Sequence, residues 1–436
     1  MPTKKRKRNY RWLWALFSFV LMLTSVVCLI VGIVKLPSGG DMPLPDAGST
    51  TTKLPTTTTT KAPQPVSATV GSVGDILMHD PLVSKTNYYS SETKKYEYDS
   101  VFTYIKPYYE QMDWMVANFE GTLAGTAYSY RGYPSFNAPD DIIDAMVNNG
   151  VDMMLTANNH SFDTRSVGFN RTRQVLKDKQ IPFIGTRDEE DKPYYVADVN
   201  GIKIGMINYT YETARSGGIK TLNGIKMTAD TQNLINSFNY NNLNAFYREL
   251  EQNLAAMKAD GAEATMVYIH WGNEYQVKQN ATQKKIAQKL CDLGVDVIVG
   301  GHPHVIQPIE ILTSSTGKKT VCAYSLGNQL SNQRIVHMGL KTGHTEDGMI
   351  LQTTFTKAPD GTVSVTGLNV LPTWVHLYRK DGKKQYQIIP LDAEKGWDTG
   401  LNLSATSSGR KDAAASYKRT MALVQSGLEA FEKECR

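Results

Sequence analysis

Paired glycines and two histidines, Gly300-Gly301-His302-Pro303-His304, follow the apolar run Val297-Ile298-Val299 in a chain with only eight histidines. The same layout recurs along the sequence. Asp75 follows "SATVGSVG", Glu120 closes "DWMVANFE", Asn159 and His160 follow "VDMMLTAN", and His270 closes "ATMVYIH". Singly, each residue has an ordinary reading: Asp75 as a cap or turn residue, Asn158-Asn159 as a turn pair, His270 as a satisfied core histidine. Together they place imidazole, carboxylate and amide oxygen at successive strand ends. That donor set suits Mn, Fe or Zn, and the lack of thiolates argues against a structural zinc. One divalent ion can activate a water. Two ions roughly 3.5–4 Å apart can clamp an in-line displacement, with a carboxylate between them. Glycine lets backbone approach closely. An extended Pro303 would set His302 and His304 on one side of the chain.

These residues need elements to hold them. The apolar runs read as strands: one over Ala68–Val73 ending at Gly74-Asp75, and others in "DWMVANF", "VDMML", "ATMVYI" and "VDVIV". Helical patterns cover Asp140–Asn149, Ser166–Lys179, Tyr240–Asp260 and Gln283–Leu293. Strands alternating with helices predict an α/β domain, and open α/β sheets bind ligands beyond the carboxyl ends of their strands. "ADVNGIKIGMINYT" predicts a hairpin turning at Asn200-Gly201. Strands in "QPIEIL", "KTVCAYSLGN", "GMILQTTFTK" and "GTVSVTGLNVL" have no crossover helices between them, which predicts a second sheet or an antiparallel edge. Lys411–Glu434 closes the chain as a helix.

The chain of 436 residues is 41% hydrophobic and 20% charged, a balance that allows a packed core. Its net charge is +5, but Lys4, Lys5, Arg6, Lys7, Arg8 and Arg11 all precede the first acid. The remainder is near neutral, which argues against a nucleic-acid partner. Trp12–Val34 is uncharged and, as a helix, would span about 34 Å. It exceeds an ordinary signal-peptide core, and no small-residue cleavage site follows. It reads as an uncleaved single-pass anchor, with the basic tail cytoplasmic and the main domain extracellular. From Leu36 to Val66 the chain is rich in Pro, Thr, Gly and Ser and reads as a disordered linker, either a passive spacer or a wall-spanning stalk. Cys291 and Cys322 are read either as a bridge or as two separately buried thiols. His337, His344 and His376 read as surface or loop residues. No G-x-S-x-G elbow, Walker loop or H-E-x-x-H motif is present.

The motifs "GD" after the first strand, "NFEG", "FNAP", "ANNHSFD", "IHWGNEY", "GGHPHVIQP" and "YSLGN" resemble those of the bacterial capsule-synthesis CapA family, the poly-γ-glutamate capsule proteins. That family is similar in fold to the calcineurin-like metallophosphoesterases. The resemblance implies an α/β fold, a four-layer αββα metallophosphatase-like sandwich of mixed sheets over residues 67–330. Residues 1–35 precede it as tail and anchor and 36–66 as linker, and 331–436 follow as strands and a helix that complete or flank the domain. It further implies that Asp75 holds a first metal, that Glu120 bridges to a second, and that Asn159, His270 and His302 bind the second. His304 would bind the first, and His160, with Asn159, would be catalytic, His160 as proton donor. The wider phosphoesterase pattern has a histidine two residues after the first aspartate, where this chain has Leu77; His79 is the nearest candidate. Arg131, Tyr133 and Asn137 lie in a loop among the motifs and are candidates for reading an anionic substrate. Two functions follow. One is an outward-facing hydrolase using one or two Mn, Fe or Zn ions on phosphoester or amide bonds of an anionic polymer such as poly-γ-glutamate. The other is a non-catalytic subunit that binds polymer or other capsule-synthesis membrane proteins.

Overall fold

Strand β1, Val66–Leu77, reads VSATVGSVGDIL and is almost wholly buried from Ala68 onward. Small and β-branched residues at nearly every position suit a strand that is flanked on both edges and covered on both faces. The computed structural model describes residues 64–214, 217–397 and 400–435. The predicted anchor at Trp12–Val34 and nearly all of the predicted linker lie outside them. Val66, placed in the linker by composition, is the first residue of β1. Among the described residues no helix is long and apolar enough to cross a membrane.

The strands that follow are β2 (Trp114–Glu120), β3 (Met153–Leu155), β4 (Phe183–Ile184), β5 (Tyr194–Val199), β6 (Ile202–Tyr211), β7 (Thr221–Leu222), β8 (Ile225–Lys226) and β9 (Ser237–Phe238). Then come β10 (Ala264–His270), β11 (Val297–Gly301), β12 (Ile306–Thr313), β13 (Lys319–Leu326), β14 (Asn328–Leu330), β15 (Asp347–Lys357), β16 (Val363–Lys380) and β17 (Lys383–Pro390). An eight-stranded sheet runs β17-β16-β15-β1-β2-β3-β4, with β14 also on β1. A seven-stranded sheet runs β12-β13-β11-β10-β6-β5, with β9 on β6. Both are mixed: β1–β2–β3–β4 and β6–β10–β11–β13 are parallel, whereas β15–β17, β12 and β5 join antiparallel. The strands lacking crossover helices thus divide, β12 and β13 edging the second sheet and β15–β17 extending the first. The β5–β6 hairpin turns at Asn200-Gly201, both at positive φ.

Three large apolar clusters set the layers. One lies between the sheets, where Ala68, Val70 and Val116 of the first meet Ile204, Tyr268 and Val297 of the second. The outer face of the first sheet packs on Ile142, Met146 and Leu176 of helices Asp141–Asn148 and Arg165–Asp178. The outer face of the second packs on Phe246, Leu250, Ile286 and Leu290 of helices Leu243–Ala259 and Ala281–Asp292. The last of these opens on a capping box between Asn280 and Gln283. The C-terminal helix Gly409–Glu434 inserts Val424 and Phe431 into the inter-sheet cluster. The result is a mixed α/β fold.

A bulge between Val73 and Asp75 breaks the alternation of β1. Ser72 faces the second sheet and hydrogen-bonds Tyr268, yet Ile76, which shares its parity, packs in the helix-side cluster. The extra residue re-aims Asp75 toward the second sheet's loops.

Candidate metal centre

Asp75 on β1, Glu120 at the end of β2, Asn159 and His160 after β3, His270 at the end of β10, and His302 and His304 after β11 converge at one end of the two sheets, all buried. Two groups have ligand atoms mutually within 4.8 Å: Glu120, His302 and His304, and Asp75, Glu120 and His270. Gly300 and Gly301 explain how the loop fits. A Cβ on Gly300 would fall 2.0 Å from the Tyr324 carbonyl oxygen, and one on Gly301 would fall 3.0 Å from Asp75 Oδ1. Pro303 does not hold an extended segment, as expected above. His302 and His304 instead both adopt positive φ, 95° and 55°, a turn that brings their rings to 5.9 Å. Such backbone costs of order 1–3 kcal/mol per residue and persists where the surroundings over-determine it.

The hydrogen bonds sort these groups. Asp75 Oδ1 accepts from Asn118 Nδ2 at 2.7 Å, and Oδ2 from the His302 N–H at 3.3 Å and His304 Nδ1 at 3.1 Å. His270 Nε2 meets Asn159 Oδ1 at 2.7 Å and lies 3.5 Å from Glu120 Oε1. Glu120 Oε1 and His302 Nδ1 are buried without a hydrogen-bond partner. Orphaned buried polar atoms are rare and call for an explanation. Two of them facing a nest of imidazole, carboxylate and amide donors fit a divalent cation. Charge tells the same story. Burial and the neighbouring imidazoles push His302 well below its ordinary value, leaving it neutral. Burial opposes charge on His304 as well, but Glu120 and Asp75 outweigh it and push the ring up to about 9. Burial likewise works against ionised Asp75, yet His304, His270 and Asn118 hold its carboxyl below the usual range. A cavity of about 20 Å³, lined in part by Asp75, Asn118, His270 and Gly301, has room for one water-sized occupant.

His160 stands beside this cluster. Its Nδ1 lies 2.8 Å from Asp163 Oδ2, and that oxygen also accepts from the Phe136 N–H. Phe136 packs edge-on against the imidazole at 4.7 Å. Burial opposes the charged ring, but Asp163 and Glu120 outweigh it and raise its proton affinity. Asn223, on the turn between β7 and β8, reaches both His160 Nδ1 and Asn159 Nδ2.

The remaining sequence candidates are placed differently. His79 joins neither group of potential ligands; its Nδ1 accepts from the Asn332 N–H. Arg131 is exposed and donates to the Ser135 carbonyl of its own loop. Tyr133 is 72% exposed. Asn137 is fully buried, and its amide is committed to the backbone of Ala124, Gly125 and Ser129. It holds the loop together and offers nothing to a substrate. Asn118, Asn158, Asp163 and Asn328 had no assigned role, yet all contact site residues. Their signal was present, inside "NFEG", "ANNHSFD" and "YSLGN", but orienting another side chain leaves no spacing rule. His376 is buried and stacked on Trp374 at 4.9 Å, not at the surface. Cys291 and Cys322 are free, buried thiols.

Residues 69–333 match the family model described as bacterial capsule synthesis protein PGA_cap. The chain is 24% identical over 322 residues to the PGA biosynthesis protein CapA of Bacillus subtilis, covering 73% of this chain and 75% of that one. It is 26% identical over 274 residues to the capsule biosynthesis protein CapA of Bacillus anthracis, covering 61% of this chain and 60% of the relative's length. The NAD nucleotidase NadN of Haemophilus influenzae superposes with a TM-score of 0.44 at 13% identity, over 83% of this chain and 57% of that one, too loosely to bear on function. With a family model spanning well over half of the sequence and taking in every strand end that builds the centre, the chain belongs to the bacterial capsule synthesis protein PGA_cap family.

Proposed function

We propose that this chain is a divalent-metal-dependent hydrolase of capsule biosynthesis with a metallophosphatase-like fold, acting on phosphoester or amide bonds of an anionic polymer such as poly-γ-glutamate. Trp12–Val34 anchors it in the membrane, with the domain outside the cell and other capsule-synthesis membrane proteins as neighbours. The observation that carries the reading is the buried, unpartnered Glu120 Oε1 and His302 Nδ1 among His270, His304, Asn159 and Asp75. Side chains of that cluster would hold Mn, Fe or Zn, and a bound ion would supply Lewis acidity and a water of lowered pKa. The chain's own part is orientation and proton transfer. Asp163 fixes the His160 ring through Nδ1, leaving Nε2 as the atom that delivers a proton to the leaving group. Tyr211, 3.3 Å from His302 Nε2, and Tyr275, ring to ring with His304 at 6.2 Å, wall the cluster.

The test is turnover of a phosphodiester and of γ-glutamyl peptides by the manganese-loaded protein. Activity is expected to fall by about 10²–10⁴ in His160→Ala and to vanish in Glu120→Gln. Leu77, which stands where the wider pattern has a histidine, favours the second reading, a polymer-binding subunit without turnover. Stoichiometric metal and polymer binding with no hydrolysis of either substrate class would establish that reading instead.

A further inference from the structure

Both potential ligand groups share Glu120, and two ions bridged by that carboxylate is the arrangement the strand-end pattern suggests. The hydrogen-bond accounting separates the two groups. In one, donor atoms are left over: Glu120 Oε1 and His302 Nδ1 have no partner, and His304 Nε2 faces Glu120 Oε1 at 3.9 Å. In the other, Asp75 is already satisfied by protein, with Asn118 on Oδ1 and the His302 N–H and His304 on Oδ2.

Asn328 decides what His304 does. It is fully buried on β14, in parallel register opposite Asp75. Its Nδ2 donates to Gln333 Oε1 at 2.9 Å and to the Thr345 carbonyl at 2.9 Å. With both amide hydrogens committed, the end of Asn328 that meets His304 Nδ1 at 3.2 Å is its oxygen. His304 Nδ1 therefore faces two acceptors, Asp75 Oδ2 and Asn328 Oδ1, and carries the proton. Nε2 is the atom with a lone pair to give. A carboxylate that holds the far nitrogen of a ligating imidazole is an outer partner of the metal, fixing tautomer and ring orientation. Around Asp75 the potential ligands among the described residues are Glu120, which is shared with the first group, and His270, whose Nε2 is already taken by Asn159 Oδ1 at 2.7 Å. Leu77, two residues after Asp75, offers no ligand atom, and His79 Nδ1 is taken by the Asn332 N–H.

We infer that this centre holds a single divalent ion on Glu120, His302 and His304, with His270 and Asn159 alongside, and that Asp75 and Asn328 act as positioning residues that fix His304. The inference rests on the metal-site reading above and is separable from the hydrolase assignment, because it is read as metal stoichiometry and not as turnover.

The experiment strips the full-length protein with chelator, titrates it with Mn(II), and reads bound metal per chain after desalting together with the paramagnetic resonance spectrum. Saturation at one Mn(II) per chain is expected, with the hyperfine pattern of an isolated ion. Asp75→Asn and Asn328→Leu should keep that stoichiometry and weaken affinity by about ten- to hundredfold. His302→Ala should abolish binding, with circular dichroism confirming that each variant is folded. Two Mn(II) per chain with an exchange-coupled spectrum, falling to one in Asp75→Asn, would overturn the inference and leave the hydrolase reading intact. No bound Mn(II) in the unmodified protein would overturn both.

Discussion

At the scale of residues, the centre is a set of groups that the fold alone does not satisfy. Glu120 is the sharpest case, a buried carboxylate with one oxygen unpartnered. Leaving a charged acceptor unmade costs more than the bond would have contributed. Glu120→Gln should therefore leave the metal-free protein at least as resistant to urea as the parent. The parent, but not the variant, should gain stability with added Mn(II), by about 2.7 kcal/mol at a hundredfold excess over Kd. A variant that is less stable without metal and responds to it equally would remove Glu120 from the ligand set. Asp75, Glu120, Asn159, His270, His302 and His304 stand out in the sequence because each follows or closes an apolar run, and the fold brings them together. Asn328 does not stand out, because its meaning depends on register against Asp75, which no local pattern encodes. Asn137 misled for the opposite reason. It lies among the motifs in sequence, but its amide closes its own loop.

Elements carry this residue logic only if they are held at the right separation. The five predicted helices were readable to within two residues of their ends, save that Tyr240–Asn242 is a 3-10 turn ahead of the helix Leu243–Ala259, since their apolar faces repeat at helical spacing. The division of the late strands between two sheets was not, because it is decided by pairing with earlier strands, β15 with distant β1 and β13 with β11, that no local pattern encodes. The C-terminal helix shows the tolerance involved. A Cβ on Gly427 would sit 2.3 Å from the Ile309 carbonyl oxygen of β12, so Gly427→Val must lift the helix off the second sheet. A loss of about 1–3 kcal/mol is expected in urea unfolding, with Mn(II) stoichiometry unchanged. Strand β16 holds a second test. Burial, reinforced by the Arg334 guanidinium, pushes His376 down to about 4. The unfolded ring takes up a proton below its ordinary value near 6.5, while the folded ring refuses it until about 4. Stability from this group is thus complete above pH 6.5 and is lost as pH falls toward 4. His376→Gln should flatten that part of the urea-midpoint profile, and identical slopes for parent and variant would refute the assignment.

For the molecule as a whole, the family match ends at residue 333, but the architecture does not. Strand β1, which carries Asp75, pairs with β15 from Val66–Lys357 to Val73–Ile350. Strands β16 and β17 then continue that sheet, and Val424 and Phe431 close the space between the sheets. Arg419 of the last helix forks onto buried Asp347 at the start of β15, with both contacts at 2.7 Å, so the closing helix and the strand beside β1 are tied together. A chain ended after residue 333 would expose the edge of β1 from Val66 to Val73, which β15 covers, and the inter-sheet core, both strong liabilities for aggregation. It would also lose Thr345, whose carbonyl helps to orient Asn328. Such a chain is expected to be insoluble or to lack cooperative unfolding, and to bind no Mn(II). A chain from Gln64 to Arg436 should unfold in one transition and bind metal like the full-length protein. Native-like metal binding by the chain ended at 333 would mean that the centre is built by the motif-bearing strands alone, and that the segment after residue 333 serves some purpose other than holding β1 in place.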